Sequence, residues 1–119
     1  MGAMLMTIPN AGLGEVLASQ TLLAQVWPDA AREVMLLLQV LRSSMPSLAD
    51  ALAVGLIALA TPTARSVIEL SHQRATLTAI GLRDDGSQVV VPHTHLREIT
   101  WLEIQDVCAG GRSGLRVQQ

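Results

Sequence analysis

The chain has 119 residues, half of them apolar and 15% charged, with a formal charge of −2. That length fits one domain, and the composition is too hydrophobic and too weakly charged for a disordered chain. No half is basic enough to give the electrostatic footprint of sequence-independent nucleic-acid binding. Residues 1–64 set Glu15, Asp29, Glu33 and Asp50 against Arg32 and Arg42, and the remainder balances six acids with six arginines.

The eight basic residues are all arginine, a skew that codon composition explains without function. Cys108 is the only cysteine, which excludes an intrachain disulfide and makes a reducing, cytoplasmic setting the expectation. The longest uncharged apolar run, from Ala51 to Thr61, is much shorter than the ~20 residues that cross a bilayer, so no membrane partner is expected.

Met1-Gly2-Ala3 reads as a cloning scar ahead of a natural start at Met4 or Met6. Leu13, Val16, Leu17 and Leu23 then recur at helical spacing and predict a helix over 13–26, with Asn10 as its cap. Trp27-Pro28-Asp29 breaks it and opens a second helix, from Pro28 to Arg42. Val34, Leu37, Leu38 and Leu41 form one stripe of that helix, while Met35, Leu36 and Val40 add apolar surface on other faces. Such a stripe is wider than a one-sided surface helix requires, so these four residues are the expected oligomer interface, buried against a second copy.

Ser43-Ser44-Met45-Pro46 ends the second helix, and Ser47 with Asp50 three residues on begins a third. It reaches to about Ala60 with no charge after Asp50, as the expected central helix. Thr61-Pro62-Thr63 stops it, and the pattern changes to strands over 67–71, 75–82 and 88–91, then a last one over 99–104. Arg83 to Ser87 makes a hairpin turn around Gly86, and Thr94 to Glu98 a helical turn. The expected fold class is α+β: three N-terminal helices followed by a small antiparallel sheet of about four strands, or a small barrel-like unit. Residues 4–107 form the single domain and 108–119 a flexible C-terminal tail. The run from Gly86 to Pro92, followed by Leu96 and Ile99, resembles the hairpin-and-return pattern of several small β-barrels, Sm-like and PRC-type modules among them.

Chemistry-bearing residues concentrate after residue 64. His93 and His95 face the same side of an extended segment and could meet one metal ion, with His72, Glu69, Glu98 or Cys108 as a third ligand. The opposing expectation is a pair of polar loop residues after Pro92. Cys108 reads as a small hydrophobe rather than a nucleophile, and Gly110 to Gly114 is no phosphate loop, since the chain has no lysine. Asp84 and Asp85 read as solvated turn acids. Trp101 is an apolar anchor whose N–H needs a partner. Arg65, Arg74, Arg83 and Arg97 are the candidates for phosphate contact, on the habit of small β-barrels to bind oligonucleotides. No cofactor is expected. The leading expectation is a non-enzymatic homo-oligomeric adaptor whose β unit receives a protein partner. The alternatives are a nucleic-acid-binding regulator using those arginines, and a metal-dependent enzyme at His93 and His95.

Overall fold

The computed structural model describes residues 4–42, 47–59, 67–89, 95–109 and 112–113. The first helical stretch is two helices, α1 (Ala11–Ala18) and α2 (Gln20–Val26). Asn10 caps α1 as expected, its Oδ1 accepting from the Leu13 amide at 2.8 Å. Ser19 sits in extended backbone and caps α2 by accepting from the Leu22 amide, so the chain turns between two helices that hydrophobic spacing alone would fuse. Trp27, 2% exposed, ends α2 with its N–H on the Leu23 carbonyl, and its own carbonyl accepts from Ala30. Pro28 to Ala30 form a turn before α3 (Ala31–Arg42), which carries Glu33 in its first turn and Arg42 in its last, both favourable to the helix dipole.

The helix α3 is the central one, lying against three strands of the sheet. Val34, Leu37, Leu38 and Leu41 are 0–2% exposed within the single chain. That overturns their expected role as an oligomer interface, because surface already buried against the chain's own core is not available to a second copy. The third helix, α4 (Leu48–Ala53), is also corrected: it is short and not central. Gly55, at φ +87°, turns the chain out of it, leaving Val54 and Leu56 43% and 47% exposed. Ala58–Leu59 then continue as a strand.

The sheet comprises β1 (Leu5–Thr7), β2 (Ala58–Leu59), β3 (Val67–His72), β4 (Ala75–Leu82), β5 (Trp101–Ala109) and β6 (Arg112–Ser113). Its order is β1-β5-β4-β3-β2, with β6 pairing further along β5. The protein is therefore α+β as expected, but with four helices among the described residues and a mixed sheet, since β1 runs parallel to β5. Among the described residues no pairing joins β2 to β1, so the sheet is open rather than a barrel. The Arg83–Ser87 turn is present, with Gly86 at φ +85° and the Arg83 amide donating to the Ser87 carbonyl. After it, where the strand over 88–91 is expected, Gln88 bridges Leu82 and the Val89 amide donates to the Gly81 carbonyl. Residues 90 and 91 of that strand, the segment 43–46 expected to end the second helix, the 61–63 boundary and most of the expected tail lie outside the described residues. Of the tail, Cys108 and Ala109 belong to β5 and Arg112–Ser113 pair back on it. A single 3-10 turn, Leu96–Glu98, stands where a helical turn was expected.

Strand β5 extends well beyond the expected end at Ile104. Trp101 to Ile104 alternates outward and inward, then Gln105 and Asp106 are both part-exposed, and Val107 and Ala109 are buried again. Opposite them the β4 register slips between Thr78 and Ala79. This is a β-bulge, two residues facing one, which resets the alternation so that both halves of the strand bury their apolar side chains.

The helices cover one face of the sheet. Ile68, Leu70, Leu77, Leu102, Ile104 and Val107 point into them, each fully buried. Among the described residues no helix is long and apolar enough to cross a membrane.

Candidate functional site

Because strand side chains alternate, the same register that buries those residues sends Val67 and Glu69 of β3, Thr78 and Ile80 of β4, and Trp101, Glu103 and Asp106 of β5 to the opposite face. No described helix packs there, and each of these residues is part-exposed. The face has an apolar end. Leu5 lies opposite Trp101, and Trp101 opposite Leu82. Leu5 is 50% exposed, whereas Leu82, at 7%, is buried apart from the main core. The Trp101 Nε1–H donates to Thr7 Oγ1 at 2.9 Å, so the expected partner for the indole lies on β1. Gly86 lies over the same ring: a Cβ there would stand 3.4 Å from Trp101 Cζ3.

One row along, Val67, Ile80 and Glu103 oppose one another; in the next, Glu69, Thr78 and Asp106 do so. The β-bulge is what brings Asp106 to this face beside Gln105. The Asp106 carboxylate accepts from the Val107 amide at 2.8 Å and from the Cys108 thiol at 3.5 Å, and Gln105 donates to Glu103 Oε1 at 3.1 Å.

The arginines proposed for phosphate contact are not gathered. Arg74 and Arg83 flank opposite ends of β4, on the order of 30 Å apart at the rise of a strand. Each is engaged: Arg74 donates to Glu33 Oε1 at 3.0 Å and to the Asp29 carbonyl, and Arg83 to Glu98 Oε1 and the Gln88 carbonyl, both at 3.1 Å. Arg97 is exposed on the 3-10 turn, and Arg65 lies outside the described residues.

His93 also lies outside them. His95 is exposed, with Nε2 3.9 Å from Glu98 Oε2, so of its proposed co-ligands Glu98 is adjacent. His72 is at the far end of β3, where Nδ1 meets the Leu56 carbonyl at 2.8 Å, and Cys108 lies opposite Thr76, also towards that end. Among the described residues no three His, Cys, Asp or Glu side chains stand close enough to hold a metal ion.

An open cleft of about 420 Å³ at the hairpin is lined by Arg83, Asp84, Asp85, Glu98 and Thr100. Its polar groups hold the turn together instead of converging on a common point. Thr100 donates to Asp84 at 2.5 Å, and Asp85 Oδ1 accepts from both the hydroxyl and the amide of Ser87, at 2.6 and 2.9 Å. The Ser87 hydroxyl, followed by its amide and by the charge of Arg83, holds the Asp85 carboxyl below the ordinary aspartate value. A folded pKa below the unfolded one contributes stability present above the unfolded value and lost as pH falls through the folded one. The carboxyl carbon of Asp85, followed by NMR, is therefore expected to titrate below a model aspartate, and Ser87→Ala to move its midpoint up. An unchanged midpoint in the variant would show that the Ser87 hydroxyl does not hold the charge.

No family model, curated protein or solved structure matches this chain.

Proposed function

We propose that the protein is a non-enzymatic interaction module whose contact surface is the open face of the sheet. The observation that carries this reading is the coexistence, on a face that no described helix covers, of part-exposed Val67, Ile80 and Trp101 with half-exposed Leu5 at the edge. Sheets carrying apolar groups on both sides are ordinarily covered on both. The α3 stripe of Val34, Leu37, Leu38 and Leu41, by contrast, is consumed within the chain, which argues against those four residues as a route to self-association. The ionisable side chains support the same reading, since His72 and His95, Arg74 and Arg83 are distributed to opposite ends of the sheet. We further assign the protein to the cytoplasm, on the single cysteine.

The test is a photo-crosslinking amino acid placed at Ile80, and in a second sample at Glu15 on α1, which is exposed on the helical side. A product of one discrete mass from position 80, absent from position 15 and lost on addition of excess unmodified protein, is the expected result. Equal crosslinking from both positions, or none from position 80, would remove the reading.

A further inference from the structure

We infer that the open face of the sheet receives a basic amphipathic helix of a protein partner, an assignment that rests on the interaction-module reading above. Strands β1, β3, β4 and β5 contain no arginine or lysine, Arg112 of β6 being the strand cation among the described residues, and the carboxylates they carry, Glu69, Glu103 and Asp106, point to the face that no described helix covers. Glu69 and Asp106 flank Thr78 in one row, roughly 10 Å apart across two strand spacings, and Glu103 opposes Ile80 in the next. Glu69 and Glu103 make no ion pair among the described residues. The face is thus an apolar patch, Trp101 with Ile80 and Val67, bordered by Glu69 and Glu103, which pair with no cation among the described residues, and by Asp106.

Charge selects among possible occupants. Face-to-face packing of two copies would gather six carboxylates against one described strand arginine per copy, Arg112 of β6, which pairs beside Ala109 at the far end of β5. The area is also small: four strands at ~4.8 Å by ~27 Å along β4 is about 500 Å² per copy, at the lower limit for a stable pair. A nucleic acid or an anionic membrane is repelled by the same carboxylates. A helix about 10 Å wide fits within the sheet. Its side chains at i and i+4, ~5–6 Å apart, match the strand spacing closely enough for an apolar stripe to lie on Trp101, Ile80 and Val67 while flanking lysines or arginines reach Glu69, Glu103 and Asp106.

The probe is a synthetic leucine–lysine peptide of about 18 residues that forms an amphipathic helix, compared with its leucine–glutamate counterpart. Binding is followed by backbone amide NMR on the whole chain. The lysine peptide is expected to shift amides of β3, β4 and β5 and to leave α1 and α2 unmoved, with affinity falling as salt rises. Glu69→Arg with Glu103→Arg should weaken it about tenfold, while Glu15→Arg on the helical side should change it less than about twofold. Should the arginine pair fail to fold, Glu69→Gln with Glu103→Gln is expected to give a loss of about threefold. Equal binding of the glutamate peptide, or undiminished binding by either variant pair, overturns the basic-helix assignment but leaves the broader reading standing while position 80 still crosslinks. A dimer in light scattering that Ile80→Asp dissociates does the same. No sheet shift with either peptide, together with no crosslink at position 80, removes both.

Discussion

Trp27→Ala is expected to destabilise the protein by about 3–5 kcal/mol, the range for removing a buried tryptophan. The indole is 2% exposed, in a core that contains no phenylalanine or tyrosine to collapse into the space. Its backbone also forms the corner between α2 and α3, accepting from Ala30 and donating to Leu23. Domains of this size have only ~5–15 kcal/mol in hand, so the variant should melt ten or more degrees lower, or be partly unfolded at 37 °C. Urea denaturation gives the number; a loss under about 1 kcal/mol would mean that the ring is not the keystone its burial indicates.

Gly81→Val is the second large effect, and it acts by excess rather than deficit. Gly81 is an inward position of β4, and a Cβ there would stand 2.9 Å from Ile99 Cδ1 and 3.0 Å from Ile68 Cδ1. Both isoleucines are fully buried, and Ile99 Cγ1 would also stand 3.0 Å away, so swinging the Ile99 tip alone does not relieve the contact. Alanine should cost about 1–2 kcal/mol, and valine, with two further methyls at the same point, about 3 kcal/mol or more. Since the clash is with named atoms, Ile99→Val should recover part of the loss in the Gly81→Ala background while being mildly destabilising alone. Strictly additive effects in that cycle would contradict the packing account.

The contrast between the legible and illegible parts of the chain has physical causes. Strands β3 and β4 follow simple alternation and end at turns, and both are where the sequence predicts them. Strand β5 is truncated in the prediction because Gln105 and Asp106 interrupt its period, and a bulge can be recognised only against its partner strand. Strand β1 is three residues long and pairs with residues 101–103, so its cause lies at the far end of the sequence. The third helix is overextended because Val54, Leu56, Ala58 and Leu59 look like core, whereas Gly55 diverts them into exposed backbone and a short strand. The oligomer interface on α3 fails for a related reason: hydrophobic breadth reports that a helix is surrounded, and here its own chain surrounds it. The candidate face is assembled by register alone. Glu69, Ile80, Glu103 and Asp106 are unremarkable singly, and their adjacency exists only once three strands are aligned.

The bulge in β5 also makes the strand unequally tolerant of losing a residue. If Gln105 is deleted, the run Leu102, Glu103, Ile104, Asp106, Val107 becomes an uninterrupted alternation, and every remaining side chain keeps the face it already has. Deletion of Glu103 gives no such repair: it turns the residues on one side of the gap over, presenting either Leu102 or Ile104 to water and a polar neighbour to the helices. Length variation in this strand is thus confined to one spot, where the extra residue adds the Gln105 side chain beside Asp106 without turning any neighbour over. A shortened chain could keep its core intact while changing only what the open face offers.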